Sequence, residues 1–168
     1  MDALQLRSMQ GPLKQRYRDT PQAAMVTLTA SGEIDFENLQ CTVAGLPQRP
    51  AGLHPAAGGT GKEACSAEML LQSLVACSGV TLAAVATALE IPVRGAQITA
   101  QGKLDFRGTL GVDKNAPVGM TDIQVTFTLH TPADEKTTAR LLELTERYCV
   151  VLQTLRQGTV VTTVLEKQ

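Results

Sequence analysis

The chain has 168 residues, 43% of them hydrophobic, enough for one domain to bury a core without metals or disulfides. Its 15 basic and 16 acidic residues give a net charge of −1, and 3% aromatic residues leave neither a basic groove nor stacking platforms for nucleic acid. The N-terminus has no apolar signal-peptide core, and no uninterrupted apolar run reaches membrane-spanning length. We expect a single cytoplasmic domain over residues 1–168, with no nucleic-acid or membrane partner.

The N-terminal part of the chain predicts a helix followed by a hairpin. Residues 2–18 form an N-terminal arm or a short polar helix. Alternating apolar residues and threonines predict a strand over residues 24–30. Ser31-Gly32 predicts the turn, and residues 34–43 the returning strand.

A loop and a central helix follow. Clusters of proline and glycine over residues 45–64 exclude a regular element there. Ser66 suits an N-cap, and residues 67–90 predict a long helix that Gly79 can kink and Pro92 stops. The apolar residues of this helix cover nearly every face, so it needs more cover than one small sheet gives.

Two further strands precede the second long helix. Alternation predicts strands over 98–106 and 123–130, joined by a loop from Gly108 to Gly119.

The C-terminal part predicts a second helix and a final strand. Residues 131–134 look like a capping box with Pro132 at the first helical position. Leucines at helical spacing extend this helix to Gly158, and residues 160–165 predict a last strand. The order ββ-α-ββ-α-β predicts an α+β fold, with antiparallel sheets packed against two long helices.

Several common kinds of site are excluded by spacing. Gly58, Gly59 and Gly61 precede Lys62, but their spacing does not match that of a phosphate-binding loop. His54 and His130 have no paired ligand spacing with the cysteines, and there is no nucleophile elbow of a hydrolase. We expect no metal and no cofactor.

The four cysteines are the remaining functional signal. Cys77 and Cys149 each lie in a long apolar helical pattern, and a reducing compartment favours reactive or packed thiols over structural disulfides. Packing alone also explains a buried cysteine. Cys41, on a strand, matches no motif, and neither does Cys65, whose place near a helix N-terminus favours reactivity without catalysis.

The segments around two of these cysteines carry a family resemblance. Residues 66–79 read SAEMLLQSLVACSG and residues 146–155 read ERYCVVLQTL. With the glycine loop ahead of them, they resemble the OsmC and organic hydroperoxide resistance (Ohr) family. The family pattern is a glycine loop, P-x-E-L-L, a small-residue helix ending at the first cysteine, and a second cysteine in Y/H-C-P-x-x-x-x-L. The resemblance extends from about Gly58 to the end of the chain.

The resemblance implies a cysteine-based thiol peroxidase and an intertwined homodimer. Cys77 would attack an organic hydroperoxide or hydrogen peroxide and become a sulfenic acid. Cys149 would then form a disulfide with it, which a dithiol reductant of the lipoyl or thioredoxin type reopens. Family peroxidases activate the first cysteine with an arginine held by a glutamate ten residues earlier.

Several positions depart from the family pattern. The activating glutamate position is Ala67, with Glu68 one residue later, and Ser66 and Val150 replace the two motif prolines. The arginines that can be considered for the activating role are Arg16, Arg18, Arg49 and Arg147. These departures resemble the less characterised OsmC-like branch.

Three functional classes therefore stay open. The first is the peroxidase, with Cys77 attacking and Cys149 resolving. The second is a non-enzymatic redox-sensing or small-ligand-binding protein on the same fold. The third is a protein that keeps only the fold. The missing glutamate argues against rapid turnover, whereas the retained cysteine pair argues against a scaffold alone.

Overall fold

The computed structural model describes residues 3–36, 40–44, 51–62 and 64–167. Its elements in chain order are α1 (Ala3–Asp19), β1 (Met25–Asp35), β2 (Gln40–Val43), β3 (Ala51–Gly52), β4 (Ala64–Cys65), α2 (Ser66–Ala88), β5 (Gly95–Asp105), α3 (Phe106–Thr109), β6 (Thr121–His130), α4 (Glu135–Tyr148) and α5 (Val150–Gln157). The predicted α+β class is confirmed, because an antiparallel sheet packs against long helices.

The main sheet has four strands in the order β2-β1-β5-β6. All of its pairings are antiparallel, and β6 is an edge strand among the described residues. Ile98, Ala100 and Leu104 of β5 are buried, whereas Gln101 and Lys103 are exposed, because one face of the sheet packs on α2. The predicted strands 98–106 and 123–130 are thus confirmed, although Phe106 begins α3.

The predicted turn of the first hairpin was misplaced. Gly32 lies inside β1, where it pairs with Val43 on one side and Ile98 on the other. A turn dipeptide does not bend a strand that both neighbours hold in register. β1 therefore continues to Asp35, and the residues that join it to β2 include 37–39, which lie outside the described part of the chain.

The segment predicted as a loop contains short regular pieces. β3 and β4 pair in parallel, and residues 55–57 form one 3₁₀ turn; residues 45–50 and 63 lie outside the described part. The predicted N-terminal helix is confirmed as α1, and it is anchored on this segment. The buried Tyr17 hydroxyl donates to the Ala56 carbonyl oxygen at 2.5 Å, and burial raises the pKa of Tyr17.

The central helix is confirmed as α2. It runs without a break through Gly79, and Leu71, Leu74 and Leu82 are buried. Ser66 is its first helical residue rather than its N-cap, a position that Cys65 takes without a side-chain capping bond.

The length of α2 also bears on the expectation about membranes. By length and composition alone, α2 is long and apolar enough to span a membrane. The expectation that no apolar run reaches membrane-spanning length is therefore not met by α2. The core helix of a soluble protein passes the same test. Here α2 packs on the sheet and on α4 and α5.

The second long helix is two helices. α4 ends at Tyr148, Cys149 has extended backbone angles (φ −70°, ψ 106°), and α5 begins at Val150. The predicted cap was also misplaced: Asp134 is the N-cap, and its carboxylate accepts from the Thr137 backbone N–H at 2.8 Å. Pro132 precedes the helix.

The predicted final strand does not form within this chain. Residues 159–167 have no regular structure, and Val160 and Leu165 are 90% and 83% exposed. The segment lies against no strand of the same chain that would complete its hydrogen bonds, among those the structure describes.

An acidic side chain at the end of β5 is held by a nearby arginine. Asp105 is buried, and its carboxylate accepts from the Arg107 guanidinium at 2.6 and 3.1 Å and from the Arg107 backbone N–H at 3.0 Å. The hydrogen bonds from the Arg107 side chain hold the pKa of Asp105 below its usual value, against the effect of burial. A depressed folded pKa stabilises the fold above the unfolded value of about 4, and this contribution is lost as the pH falls through the folded value.

Asp105→Asn is therefore expected to lower the free energy of unfolding by about 2 kcal/mol at neutral pH. Urea unfolding across the acid range should show the difference from the unsubstituted protein shrinking below about pH 4. Asp122→Asn is the control, because the exposed Asp122–Lys103 pair, at 3.4 Å, is expected to add little. Equal losses for both variants would refute a special role for Asp105.

Candidate functional site

The candidate site lies where α2 meets the junction of α4 and α5. Cys149 occupies that junction with 0% of its side chain exposed. Its Sγ lies 3.3 Å from the Oγ of Ser78, which is equally buried. Cys77, the residue before Ser78 on α2, is partly exposed and packs at the margin of the core. The two cysteines predicted from the motifs therefore belong to one contact between helices.

The Cys149 thiol experiences opposing influences. Burial raises its pKa most, because a thiolate is poorly solvated in an apolar core. The Ser78 hydroxyl and the Leu152 backbone N–H lower the pKa, and the neighbouring Cys77 thiol raises it. The net direction is upward, so Cys149 is expected to be protonated at neutral pH.

The break between α4 and α5 places Cys149 at a helix N-terminus. Cys149 is the N-cap residue of α5, and its carbonyl oxygen accepts from the Gln153 backbone N–H at 2.9 Å. The Cys149 sulfur makes no capping hydrogen bond of good geometry. The backbone N–H of Leu152, in the first turn of α5, nevertheless lowers the pKa of Cys149, because it favours the thiolate. The break therefore partly offsets the cost of burial.

The described arginines that the motif comparison raised lie elsewhere. Arg16 and Arg18 are exposed in the last turn of α1, and the Arg147 guanidinium lies 5.6 Å from the centroid of the Tyr148 ring. Arg49 lies outside the described residues. Glu68 is in the first turn of α2, where a carboxylate favours the helix dipole, and it makes none of the ion pairs found among the described residues.

The other cysteines and the histidines stand apart from this contact. Cys65 is partly exposed at the start of α2; the backbone of Cys41 pairs with Ile34, and its side chain lies outside the described part. His54 stacks on Phe106 with ring centroids 5.0 Å apart, and His130 is exposed at the end of β6. Within the described residues, no group of three metal-ligating side chains occurs.

An open groove of about 310 Å³ lies beside the thiol contact. Leu74 lines it one turn before Cys77, and Leu152 lines it one turn after Cys149. The other lining residues are Met120, Ile123, Val125, Phe127, Glu146, Leu155 and Arg156. Glu146 and Arg156 pair at 2.9 Å, so the groove has apolar walls and one ion pair.

Two features of the site were missed at the level of sequence. Ser78 drew no attention, since serine beside cysteine on a helix has no motif of its own. The helix break was missed because leucine spacing continues across it, and the only local signal was the pair Val150-Val151, whose β-branched side chains disfavour helix slightly.

Comparison with known proteins shows which family the chain matches. Residues 59–164 match the protein family described as OsmC-like protein, over more than half of the chain and including both cysteines of the contact. The chain belongs to the OsmC-like family. The resemblance inferred from the cysteine motifs is thereby confirmed. A search of curated proteins found no match.

Two solved structures share the OsmC-like fold. An OsmC-like hydroperoxide resistance protein from Jannaschia sp. CCS1 has a TM-score of 0.62 at 16% identity, covering 86% of this chain and 95% of that one. An OsmC-like protein from Mycoplasma pneumoniae has a TM-score of 0.54 at 19% identity, covering 79% and 85%. At these identities the likeness establishes the fold and not the activity.

Proposed function

We propose that this protein is a cysteine-based thiol peroxidase that reduces organic hydroperoxides or hydrogen peroxide in the cytoplasm. The observation that carries the proposal is the pairing of one accessible and one buried cysteine at a single helix contact in an OsmC-like fold. Family membership and the hydroperoxide resistance protein from Jannaschia sp. CCS1 support the same class of chemistry.

In the proposed first step, the Cys77 thiolate attacks the terminal oxygen of the hydroperoxide. A sulfur–oxygen bond forms, the oxygen–oxygen bond breaks, and the departing alkoxide takes a proton to become an alcohol or water. Cys77 is assigned this step because it is the accessible thiol of the two. Cys149 is fully buried and its pKa is raised, which suits a thiol that waits for an oxidised partner.

In the proposed second step, Cys149 attacks the Cys77 sulfenic acid. The new disulfide expels hydroxide, which leaves as water with one proton. A dithiol of the lipoyl or thioredoxin type then reduces the disulfide by thiol–disulfide exchange. The apolar groove beside Leu74 and Leu152 supports an alkyl or aryl hydroperoxide as the better substrate.

A coupled assay tests this function. The reduced protein is mixed with cumene hydroperoxide and either dihydrolipoamide or a reduced thioredoxin, and hydroperoxide loss is followed. We expect catalytic turnover with at least one of the two dithiols and a higher kcat/KM for cumene hydroperoxide than for hydrogen peroxide. Loss limited to the rate of the dithiol alone would refute the proposal.

A redox-sensing or ligand-binding protein is the second candidate. It is favoured by Ala67, which replaces the motif glutamate. It is also favoured because, within the described part of the chain, Glu146 is the only residue of the site that forms an ion pair with an arginine. Oxidation of Cys77 without turnover by any dithiol would select this candidate.

We also propose that the protein acts as a homodimer. Met69, Leu70 and Val80 of α2 are 37–41% exposed, so the central helix lacks cover in one chain. No described strand pairs with the outer edge of β6, and the apolar segment of residues 159–165 is exposed. Both gain partners if a second copy supplies the missing strand.

A charged double variant tests the role of the C-terminal segment. Val161→Glu with Leu165→Glu is expected to convert the dimer to a monomer in sedimentation velocity, because two charges would be buried in the interface. Gln157→Glu with Thr162→Glu adds the same charge at an exposed position of α5 and on the opposite face of the strand, and should remain dimeric. A monomeric unsubstituted protein, or a dimeric first variant, would contradict this role.

A further inference from the structure

The hydroxyl of Ser78 is used differently from the three other hydroxyls beyond the first turn of α2. Ser73, Thr81 and Thr87 each donate to the backbone carbonyl oxygen four residues earlier, at 2.8–2.9 Å. The Ser78 hydroxyl makes no such bond among those found in the described residues. Its partner is instead the sulfur of Cys149, 71 positions away in sequence.

Burial makes this contact consequential. Ser78 and Cys149 are both 0% exposed, and the cluster around Cys149 is mainly apolar. The hydroxyl of Thr145, which is also buried, donates to the Leu141 carbonyl oxygen. A buried hydroxyl without a partner is costly, and an alanine would fill the same space on a helix more favourably. Packing alone therefore does not require a serine at position 78. What the serine adds is a hydrogen bond to the sulfur of Cys149.

We propose that Ser78 is a positioning residue that holds the Cys149 sulfur against α2 and stabilises it as a thiolate for attack on oxidised Cys77. This inference rests on the proposed peroxidase function. The reaction needs the Cys149 sulfur to be deprotonated at the moment of attack, yet it lies in an apolar core. When the proton leaves, the Ser78 hydroxyl can only donate, and a donor on a thiolate is a charge-assisted bond.

The chemistry of this step is balanced within the two cysteines. An electron pair of the Cys149 sulfur forms the bond to the Cys77 sulfur, and the sulfur–oxygen pair of the sulfenic acid leaves with the hydroxide, which becomes water. Ser78 follows Cys77 directly on α2, so its hydrogen bond holds the attacking sulfur next to the residue it must attack.

The groups that can influence the titration of Cys149 are few. On α2 the titratable neighbour is Cys77, which raises the pKa of Cys149. On α4 and α5 the nearest charged side chains along the chain are Glu146, Arg147 and Arg156; Glu146 and Arg156 pair with one another, and none of the three contributes to the shift. The β6 residues that line the groove beside it are apolar.

Single-turnover kinetics of Ser78→Ala test the proposal. Sulfenic acid formation at Cys77 should change less than about twofold, whereas disulfide formation should slow about tenfold at neutral pH, the effect of losing one hydrogen bond to a charged sulfur. The pH midpoint of the rate of disulfide formation should also move upward in Ser78→Ala. Ser78→Thr keeps the hydroxyl and should restore much of the rate. Thr81→Val removes a hydroxyl one turn away that bonds only backbone, and should leave both steps unchanged.

A second measurement separates this proposal from the peroxidase function. In a protein with Cys41, Cys65 and Cys77 replaced by serine, Cys149 is the remaining thiol, and its thiolate absorbance can be titrated. Adding Ser78→Ala should raise the midpoint of the Cys149 titration whether or not the unsubstituted protein reduces peroxide. A raised midpoint in a protein that reduces no peroxide would refute the peroxidase function and still support the role of Ser78. An unchanged midpoint together with an unchanged rate of disulfide formation would overturn the role of Ser78.

Discussion

Cys77→Ser is expected to lower the rate of hydroperoxide consumption at least about a thousandfold, to the level of the uncatalysed reaction with the dithiol. A serine hydroxyl is not ionised at neutral pH and is a poor nucleophile toward oxygen, whereas the change in side-chain volume is small. The fold should therefore be kept, with an unfolding midpoint close to that of the unsubstituted protein. The measurement is the coupled assay with cumene hydroperoxide.

Cys149→Ser distinguishes the two cysteines. Without the resolving thiol, Cys77 should still react once with hydroperoxide at an unreduced rate and stay as a sulfenic acid, which a dimedone adduct on the Cys77 peptide detects. Cys65→Ser is the matched control, since Cys65 is a partly exposed thiol away from the helix contact, and its loss should leave turnover unchanged. Full activity of Cys77→Ser, or equal loss in Cys65→Ser, would contradict the assignment.

Gly108→Ala is expected to destabilise the fold by about 3 kcal/mol or more. A Cβ at this position would lie 2.3 Å from the Pro117 carbonyl oxygen and 2.8 Å from that of Ala116. Both obstacles are backbone atoms, so no side-chain rotation relieves the overlap, and α3 must move away from the segment that leads into β6. Urea unfolding should show a lower midpoint with an unchanged slope.

Gly119→Ala is the control for this prediction. It is the same substitution in the segment between α3 and β6, but a Cβ there meets no atom within 4 Å. The expected change in the free energy of unfolding is within about 1 kcal/mol, because only the freedom of the unfolded chain is reduced. Similar losses in both variants would show that the close approach at Gly108 does not limit stability.

The strands and helices predicted from periodicity largely correspond to those observed. β6 alternates both in sequence and in exposure, and the long apolar run of α2 becomes a helix packed on the sheet and on α4 and α5, so local and tertiary preferences point the same way. The errors lie where a neighbour overrides a local signal. Ser31-Gly32 has the chemistry of a turn, yet pairing on both sides keeps it in β1. Residues 160–165 have the pattern of a strand but meet no strand in their own chain among those described.

The site was predictable in part. The motifs singled out Cys77 and Cys149, and the chain folds so that both meet at one contact. The partners of these thiols were not predictable, because Ser78 and the break at Cys149 acquire meaning only when α2 and the α4–α5 junction pack together. Sequence periodicity reports which face of a helix is buried. It does not report which buried polar atom faces another across the interface.

The central claim is that Cys77 and Cys149 form a catalytic dithiol. The most direct test is the intact mass of the reduced protein after one equivalent of cumene hydroperoxide, with peptide mapping of the oxidised residues. Rapid loss of two hydrogens, mapped to a disulfide between Cys77 and Cys149, is the predicted result. Slow oxidation, oxidation scattered over the four cysteines, or oxidation confined to Cys65 would contradict it.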